Sequence, residues 1–482
     1  MGRRRSLVIG SYRALHPPVR AALWFTFAGV ALKGMATITT PIFTRLMSTE
    51  QFGLYALSRS WLQVLAVVTT VSLASGVFSK GMNKYPQSRD AYTASMQTVS
   101  TVLVIVALLA YLLFRDWANA VMGLTTVIVI AMFVELLFTP PVTFWMARER
   151  YDFNYRPVVL VTLLMAAGTA VVSVGAVVVA DDKGTARIVA GAFVSALFGL
   201  FIYVRNLKRA NKPIVAEYAK FAVTFNLVLV PHYLSMYALD QLDRIMVAKL
   251  IGLSAAGVYS VGYTIGAAIR VATDGIASAV IPWQYRQLES GGLEAVGRRL
   301  TQILGLYALS ILAFVALAPE LMSIVAGSAY RGALGVIPPV AVSTFFIFAY
   351  IVFGNIEIYY ETNRMMMLAS PVAAIANIAL NYVFIPRFGF IAAAYTTLAC
   401  YAGMAGAHYV YMQHVVSRAN GGARLLDTGR LLRITVGLLA GSSILVAAYS
   451  FHLLRYALLV GALGAAVVKR REIKAILTME GS

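Results

Sequence analysis

Residues 44–58 read TRLMSTEQFGLYALS, and residues 248–262 read AKLIGLSAAGVYSVG. An offset of 204 places Arg45 on Lys249, Leu46 on Leu250, Gly53 on Gly257 and Tyr55 on Tyr259. A second echo lies at a nearly equal offset: DDKGTARIVAGA around Gly184 pairs with PRFGFIAAAY around Gly389. Two echoes at one spacing point to an internal duplication. What lies within each copy decides the fold.

Each copy is a series of apolar runs. Over the 482 residues, 60% are apolar and 12% charged, against about 45–50% and about 25% in soluble domains. Too little polar matter exists to cover a water-facing surface, so a soluble globular enzyme is excluded. A spanning helix needs about 20 mostly apolar residues. Fourteen runs qualify: 21–44, 52–79, 91–114, 118–146, 157–180, 187–204, 221–247, 254–284, 300–326, 333–362, 366–385, 390–416, 432–450 and 453–468. The expected fold is an all-α integral membrane protein with about 14 transmembrane helices. The repeat groups them as two pseudo-symmetric six-helix lobes, 1–212 and 213–420, followed by a C-terminal helix pair and basic tail, 421–482. Six helices per copy make the repeats parallel, and parallel repeats carry a cavity at their interface, the architecture of alternating-access transporters.

The net charge of +20 would suggest nucleic acid in a soluble protein. Its distribution argues otherwise. With the N-terminus in the cytoplasm, 28 of the 40 Lys and Arg residues fall in cytoplasmic segments, 8 in outer turns and 4 within spans. That bias orients the chain with both termini cytoplasmic. No basic stripe with interleaved aromatics is present, so no nucleic-acid partner is expected. The basic N-terminus lacks the cleavage pattern of a signal peptide and reads as a retained cytoplasmic segment. The single cysteine, Cys400, reads as a small apolar filler. No nucleotide-binding, metalloprotease or nucleophile-elbow motif occurs, so neither a catalytic site nor a metal site nor a bound cofactor is expected.

Charge inside the membrane costs about 2.5–3.5 kcal/mol on insertion scales and usually faces a cavity or a partner. Lys33 lies mid-way along the first run and Arg270 mid-way along the eighth. Asp274 stands one turn after Arg270, at ion-pair spacing. In the seventh run His232, Met236, Asp240 and Asp243 share a face, and Asp240 is again i,i+4 to Arg244. Asp240 is the deepest carboxylate there and a candidate proton or cation site. Glu135, in the fourth run, has no partner nearby in sequence, and Arg59, in the outer third of the second, is placed to snorkel. Asn377 and Asn381 suit interhelical hydrogen bonds. Glu357 and Glu361 suit a solvated inner mouth, and His408 a satisfied bundle histidine. Pro41, Pro140-Pro141 and Pro231 are expected to break or bend their helices.

TTPIFTRLMSTEQFGLYALS, LDQLDRIMVAKLIGLSAAGVYSVGYTIG and NIALNYVFIPRFGFIAAAYTTLACY resemble the corresponding stretches of Wzx-type polysaccharide flippases. These belong to the multidrug/oligosaccharidyl-lipid/polysaccharide exporter superfamily. The resemblance covers nearly the whole chain and is specific for the polysaccharide branch, not for one sugar. It implies transfer of undecaprenyl-diphosphate-linked oligosaccharide repeat units from the cytoplasmic to the outer leaflet of a bacterial inner membrane, for cell-surface polysaccharide such as lipopolysaccharide or exopolysaccharide. Its implied partners are the lipid-linked oligosaccharide, membrane lipids, and polysaccharide polymerase and chain-length machinery. In such proteins a cationic cavity receives the diphosphate. Lys33 and Arg270 match that role here, with Arg59 and Arg244 as further candidates. Asp240, Glu135 and Asp274 are the candidates for proton or sodium coupling, with the membrane potential as another driving force. His232, Asn377 and Asn381 would be polar cavity residues. The alternatives are a multidrug or cation antiporter of the same fold, a lipid II flippase, and a membrane glycosyl polymerase, against which the short outer turns argue.

Overall fold

The computed structural model describes residues 17–460 apart from 363, 454 and 458; side chains at 17–19, 22, 30, 32–34, 36 and 37 are not described. No strand occurs among the described residues. The helices are α1 (Pro17–Leu46), α2 (Thr49–Thr70), α3 (Val77–Lys84), α4 (Arg89–Leu113), α5 (Arg115–Met122), α6 (Thr126–Tyr151), α7 (Tyr155–Val179), α8 (Lys183–Arg209), α9 (Ala216–Leu227), α10 (Val230–Leu250), α11 (Leu253–Gly266), α12 (Arg270–Glu289), α13 (Leu293–Ala316), α14 (Ala318–Val325), α15 (Ile337–Tyr359), α16 (Arg364–Phe388), α17 (Ile391–Ala419) and α18 (Thr428–Ala447).

The first thirteen apolar runs fall mostly on helix, with interruptions such as 71–76, 123–125 and 228–229; most of the fourteenth, 453–468, lies outside the described residues. Among the described residues nine helices are long and apolar enough to cross a membrane alone. The α9–α10 pair makes a tenth span if counted as one, bent by 56°. The bend falls at residues 228–229, just before Pro231, where a proline near a helix start costs little. The other expected breaks do not occur. α1 runs through Pro41, and α6 runs through Pro140 and Pro141. Within lipid, neighbouring helices and local adjustments re-satisfy the backbone groups a proline frees.

The chain divides into two compact units, Met1–Tyr237 and Ala238–Ser482. In the first, the echo segments lie against each other. Lys183 Nζ donates to the Leu46 carbonyl at 2.9 Å, and Gln51 Nε2 to the Asp181 carbonyl at 3.2 Å. Ser48 and Gln51 form a reciprocal capping box that starts α2, satisfying two orphan backbone N–H groups. Arg187 is buried within α8, 3.6 Å from the ring centres of both Phe43 and Tyr55. Phe43, just before the first echo, and Tyr55 within it thus flank a cation of the second. In the C-terminal unit the equivalent segments also meet. Ala256 and Tyr259 share a core cluster with Ile385 and Ala393, against which Phe390 and Ile391 pack. The two echoed glycines serve different needs. A Cβ on Gly184 would lie 3.1 Å from the Gln51 carbonyl, while Gly389 turns the chain at φ +75°.

The C-terminal unit is built around α15, which is apolar nearly throughout and almost wholly buried. A helix apolar on all sides belongs at the centre of a bundle. Phe345, Phe348 and Phe353 pack there with Tyr307 of α13 and Tyr401 of α17. Between helices in lipid there is little hydrophobic drive, so close packing and interhelical hydrogen bonds hold the bundle. That is why its polar residues are informative.

Candidate functional site

The N-terminal unit holds a cavity of about 330 Å³. One face of α2 lines it through Arg59, Leu62, Gln63, Ala66, Val67 and Thr70, a helical stripe at steps of three and four. The facing wall is a stripe of α6 that includes Glu135, Thr139 and Thr143. Tyr237 of α10 and residues 72–75 complete it. Arg59 Nη1 donates to Glu135 Oε2 at 2.5 Å, with the Arg59 side chain 41% exposed and that of Glu135 11% exposed. Glu135, without a partner nearby in sequence, finds one 76 positions away, and Arg59, expected to snorkel, instead reaches into the unit.

The wall at residues 71–76 is not helical. α2 ends at Val71 and Ser72, both left-handed at φ 51° and 50°, a conformation that is a genuine outlier for a β-branched residue. The loose carbonyls are met by Asn226 of α9, fully buried, whose Nδ2 donates to the Val71 carbonyl at 2.9 Å and the Ser72 carbonyl at 2.7 Å. Irregular backbone at membrane depth is tolerated only where it is buried in protein or lines a water-filled cavity. His232, a predicted cavity residue, is half-buried on α10; its Nδ1 has no hydrogen-bond partner among the described residues.

The C-terminal unit centres on Asp240 of α10. Arg270 Nη1 lies 3.2 Å from Asp240 Oδ1. Tyr263 Oη donates to the same oxygen at 2.7 Å, and Gln241 Nε2 donates to Oδ2 at 3.0 Å. Arg244 does not pair with the Asp240 carboxylate as its i,i+4 spacing suggested. Its Nη1 donates to the Asp240 backbone carbonyl at 2.7 Å, and its guanidinium lies 4.1 Å from the Tyr263 ring centre. The carboxylate at Arg270 is that of Asp240, 30 residues upstream, and Asp274 is exposed on α12. The side chains of Arg270 and Asp240 remain 36% and 29% exposed. The space beside them, bounded by Ser343, Thr344, Thr397 and Tyr401, is only about 10 Å³, room for about one water.

One turn along α10, Asp243 is fully buried and accepts hydrogen bonds from Tyr259 Oη at 2.8 Å, Thr397 Oγ1 at 2.6 Å and Asn381 Nδ2 at 2.8 Å. Asn377 donates to Thr397 at 3.1 Å, and Asn381 also bonds Thr396. Asn377 and Asn381 therefore sit in a network joining α10, α11, α16 and α17. Glu357, expected at a solvated mouth, is buried; His408 Nδ1 lies 2.8 Å from its Oε1. Lys33 lies in α1, and its side chain is outside the described residues.

Sequence reading missed Gln63, Thr139, Thr143 and Asn226. The first three were signalled by helical spacing, one or two turns from Arg59 or Glu135. Asn226 carried no local signal.

Many apolar spans, with charged pairs set within apolar helices, define a multi-pass membrane protein. The chain matches the family described as "Polysaccharide biosynthesis protein" over residues 19–286 and belongs to it. It is 23% identical over 203 residues to a protein of the Lsg locus of Haemophilus influenzae, a match covering 41% of this chain and 50% of that one, so the chain spans about half the length of this curated relative. Its fold is similar to that of the lipid II flippase MurJ in an inward closed conformation, with TM-score 0.63, 12% identity, and 94% and 100% of the two chains covered. It is also similar to an inward-facing multidrug resistance MATE family transporter of the MOP superfamily, with TM-score 0.61, 12% identity, and 84% and 99% covered. A MOP superfamily transporter from Pyrococcus furiosus, whose binding pocket has reversed polarity, gives TM-score 0.54 at 14% identity, with 84% and 97% covered. At these identities the likeness concerns the fold.

Proposed function

We propose that this protein flips undecaprenyl-diphosphate-linked oligosaccharide from the cytoplasmic to the outer leaflet of the inner membrane by alternating access, for cell-surface polysaccharide assembly. The observation that carries the reading is the partly exposed Arg270–Asp240 pair, with Arg244 alongside. Arg270 and Arg244 both stand beside Asp240, and the Arg270 guanidinium remains partly exposed. A diphosphate competes with Asp240 for Arg270, because guanidinium binds phosphate oxygens bidentately. Lys33 is the other candidate cation for the diphosphate. Asp240, once displaced, keeps its bonds from Tyr263 and Gln241 and takes up a proton or sodium ion, which would couple transport to an ion gradient. Glu135 and Asp274 are further coupling candidates. Outward movement of ligand negative charge runs with an inside-negative potential, worth about 2.3 kcal/mol per charge per 100 mV.

In this reading the protein makes and breaks no covalent bond. Membrane lipids hold the prenyl tail, polymerase and chain-length machinery receive the product, and both termini are cytoplasmic. The test is complementation of cells lacking their own exporter. Arg270→Ala and Lys33→Ala, expressed at normal levels, should abolish surface polysaccharide. Normal export with both residues replaced contradicts the reading.

A further inference from the structure

We propose that the cavity of the N-terminal unit is a sugar subsite, which seats one neutral pyranose ring of the transported oligosaccharide and reads a vicinal diol through Arg59 and Glu135. The inference rests on the flippase reading above and assigns its sugar contacts.

Four observations carry it. The first is size: about 330 Å³ is at the small end of the roughly 300–1,000 Å³ of small-molecule pockets. That admits a sugar ring, but neither a whole repeat unit nor a prenyl chain. The second is charge. Arg59 and Glu135 neutralise each other at 2.5 Å, so the cavity attracts neither a diphosphate nor a drug cation. What the pair does offer is a guanidinium donor beside a carboxylate acceptor. Adjacent hydroxyls satisfy both at once, one accepting from Arg59 and the other donating to Glu135.

The third is the lining. Gln63, Thr139 and Tyr237 face the cavity and make no side-chain hydrogen bond among the described residues. They alternate with aliphatic residues and Phe144, suited to the apolar faces of a sugar. The fourth is the backbone. α2 is broken where it bounds the cavity, with Val71 and Ser72 left-handed and held by Asn226. Discontinuous helices in transporters lie at binding sites.

The test uses the purified full-length chain in lipid nanodiscs and two probes, undecaprenyl diphosphate bearing an oligosaccharide and undecaprenyl diphosphate bearing no sugar. The wild type should bind the sugar-bearing lipid about tenfold more tightly, the effect of one or two net hydrogen bonds. The double variant Gln63→Leu, Thr139→Val leaves the ion pair in place, and Ala66→Phe fills the space. Ala66→Phe should lose the preference, and the double variant, which keeps the ion-pair contacts, should weaken it about threefold, while both bind the bare lipid as the wild type does. A wild type without preference, or a variant that keeps it in full, overturns the subsite. A wild type that binds neither lipid refutes the flippase reading itself, and the subsite falls with it.

Discussion

Arg59 and Glu135, on α2 and α6, meet at 2.5 Å across a cavity that both help to line. One is 41% exposed and the other 11%, so the pair is neither a surface salt bridge nor a sealed one. Its two members depend on each other: each alone would be a charge in apolar surroundings.

Replacing one partner should therefore cost more than replacing both. Glu135→Leu or Arg59→Met alone should destabilise the N-terminal unit by about 1–3 kcal/mol, between the values for exposed and buried pairs. The double variant should recover most of that loss. Thermal unfolding of the four proteins in one detergent forms the cycle; strictly additive effects would show that the two side chains do not interact.

Asn226 should matter as much as any apolar core residue. Asn226→Leu keeps the approximate volume but leaves the Val71 and Ser72 carbonyls without their donor. Each unmet buried group costs about 1–3 kcal/mol. Limited proteolysis should then cut within residues 71–76 at a rate well above the wild type. An unchanged cleavage pattern would mean that the break in α2 is held by other contacts.

The buried Glu357–His408 pair predicts an asymmetry of its own. His408→Phe leaves Glu357 buried without its imidazole partner, an arrangement that costs about 3–5 kcal/mol. His408→Phe combined with Glu357→Leu should restore most of the melting temperature. A single variant as stable as the wild type would contradict the pairing.

The spans were readable because apolar run length survives every detail of packing. Partners were not. Sequence proximity favoured Asp240 with Arg244 and Arg270 with Asp274, yet Asp240 pairs with Arg270. Glu135 has its partner 76 residues away, and His408 is 51 residues from Glu357. Proline marked only part of the breaks: α1 and α6 run unbroken through theirs, the 56° bend falls beside Pro231, and the break at Val71 and Ser72 contains none. The carbonyls at that break are met from another helix by Asn226, and no local pattern announces it.

The central claim is that Arg270 holds the diphosphate of a lipid-linked oligosaccharide during transfer between leaflets. The most direct measurement is a leaflet-resolved flipping assay with the full-length protein in proteoliposomes, using a defined undecaprenyl-diphosphate-linked oligosaccharide. The wild type should move the lipid well above empty liposomes. Arg270→Ala should slow it about 10–100-fold, the effect of one or two charge-assisted hydrogen bonds. Flipping no faster than in empty liposomes, or equal rates for wild type and Arg270→Ala, would contradict the account.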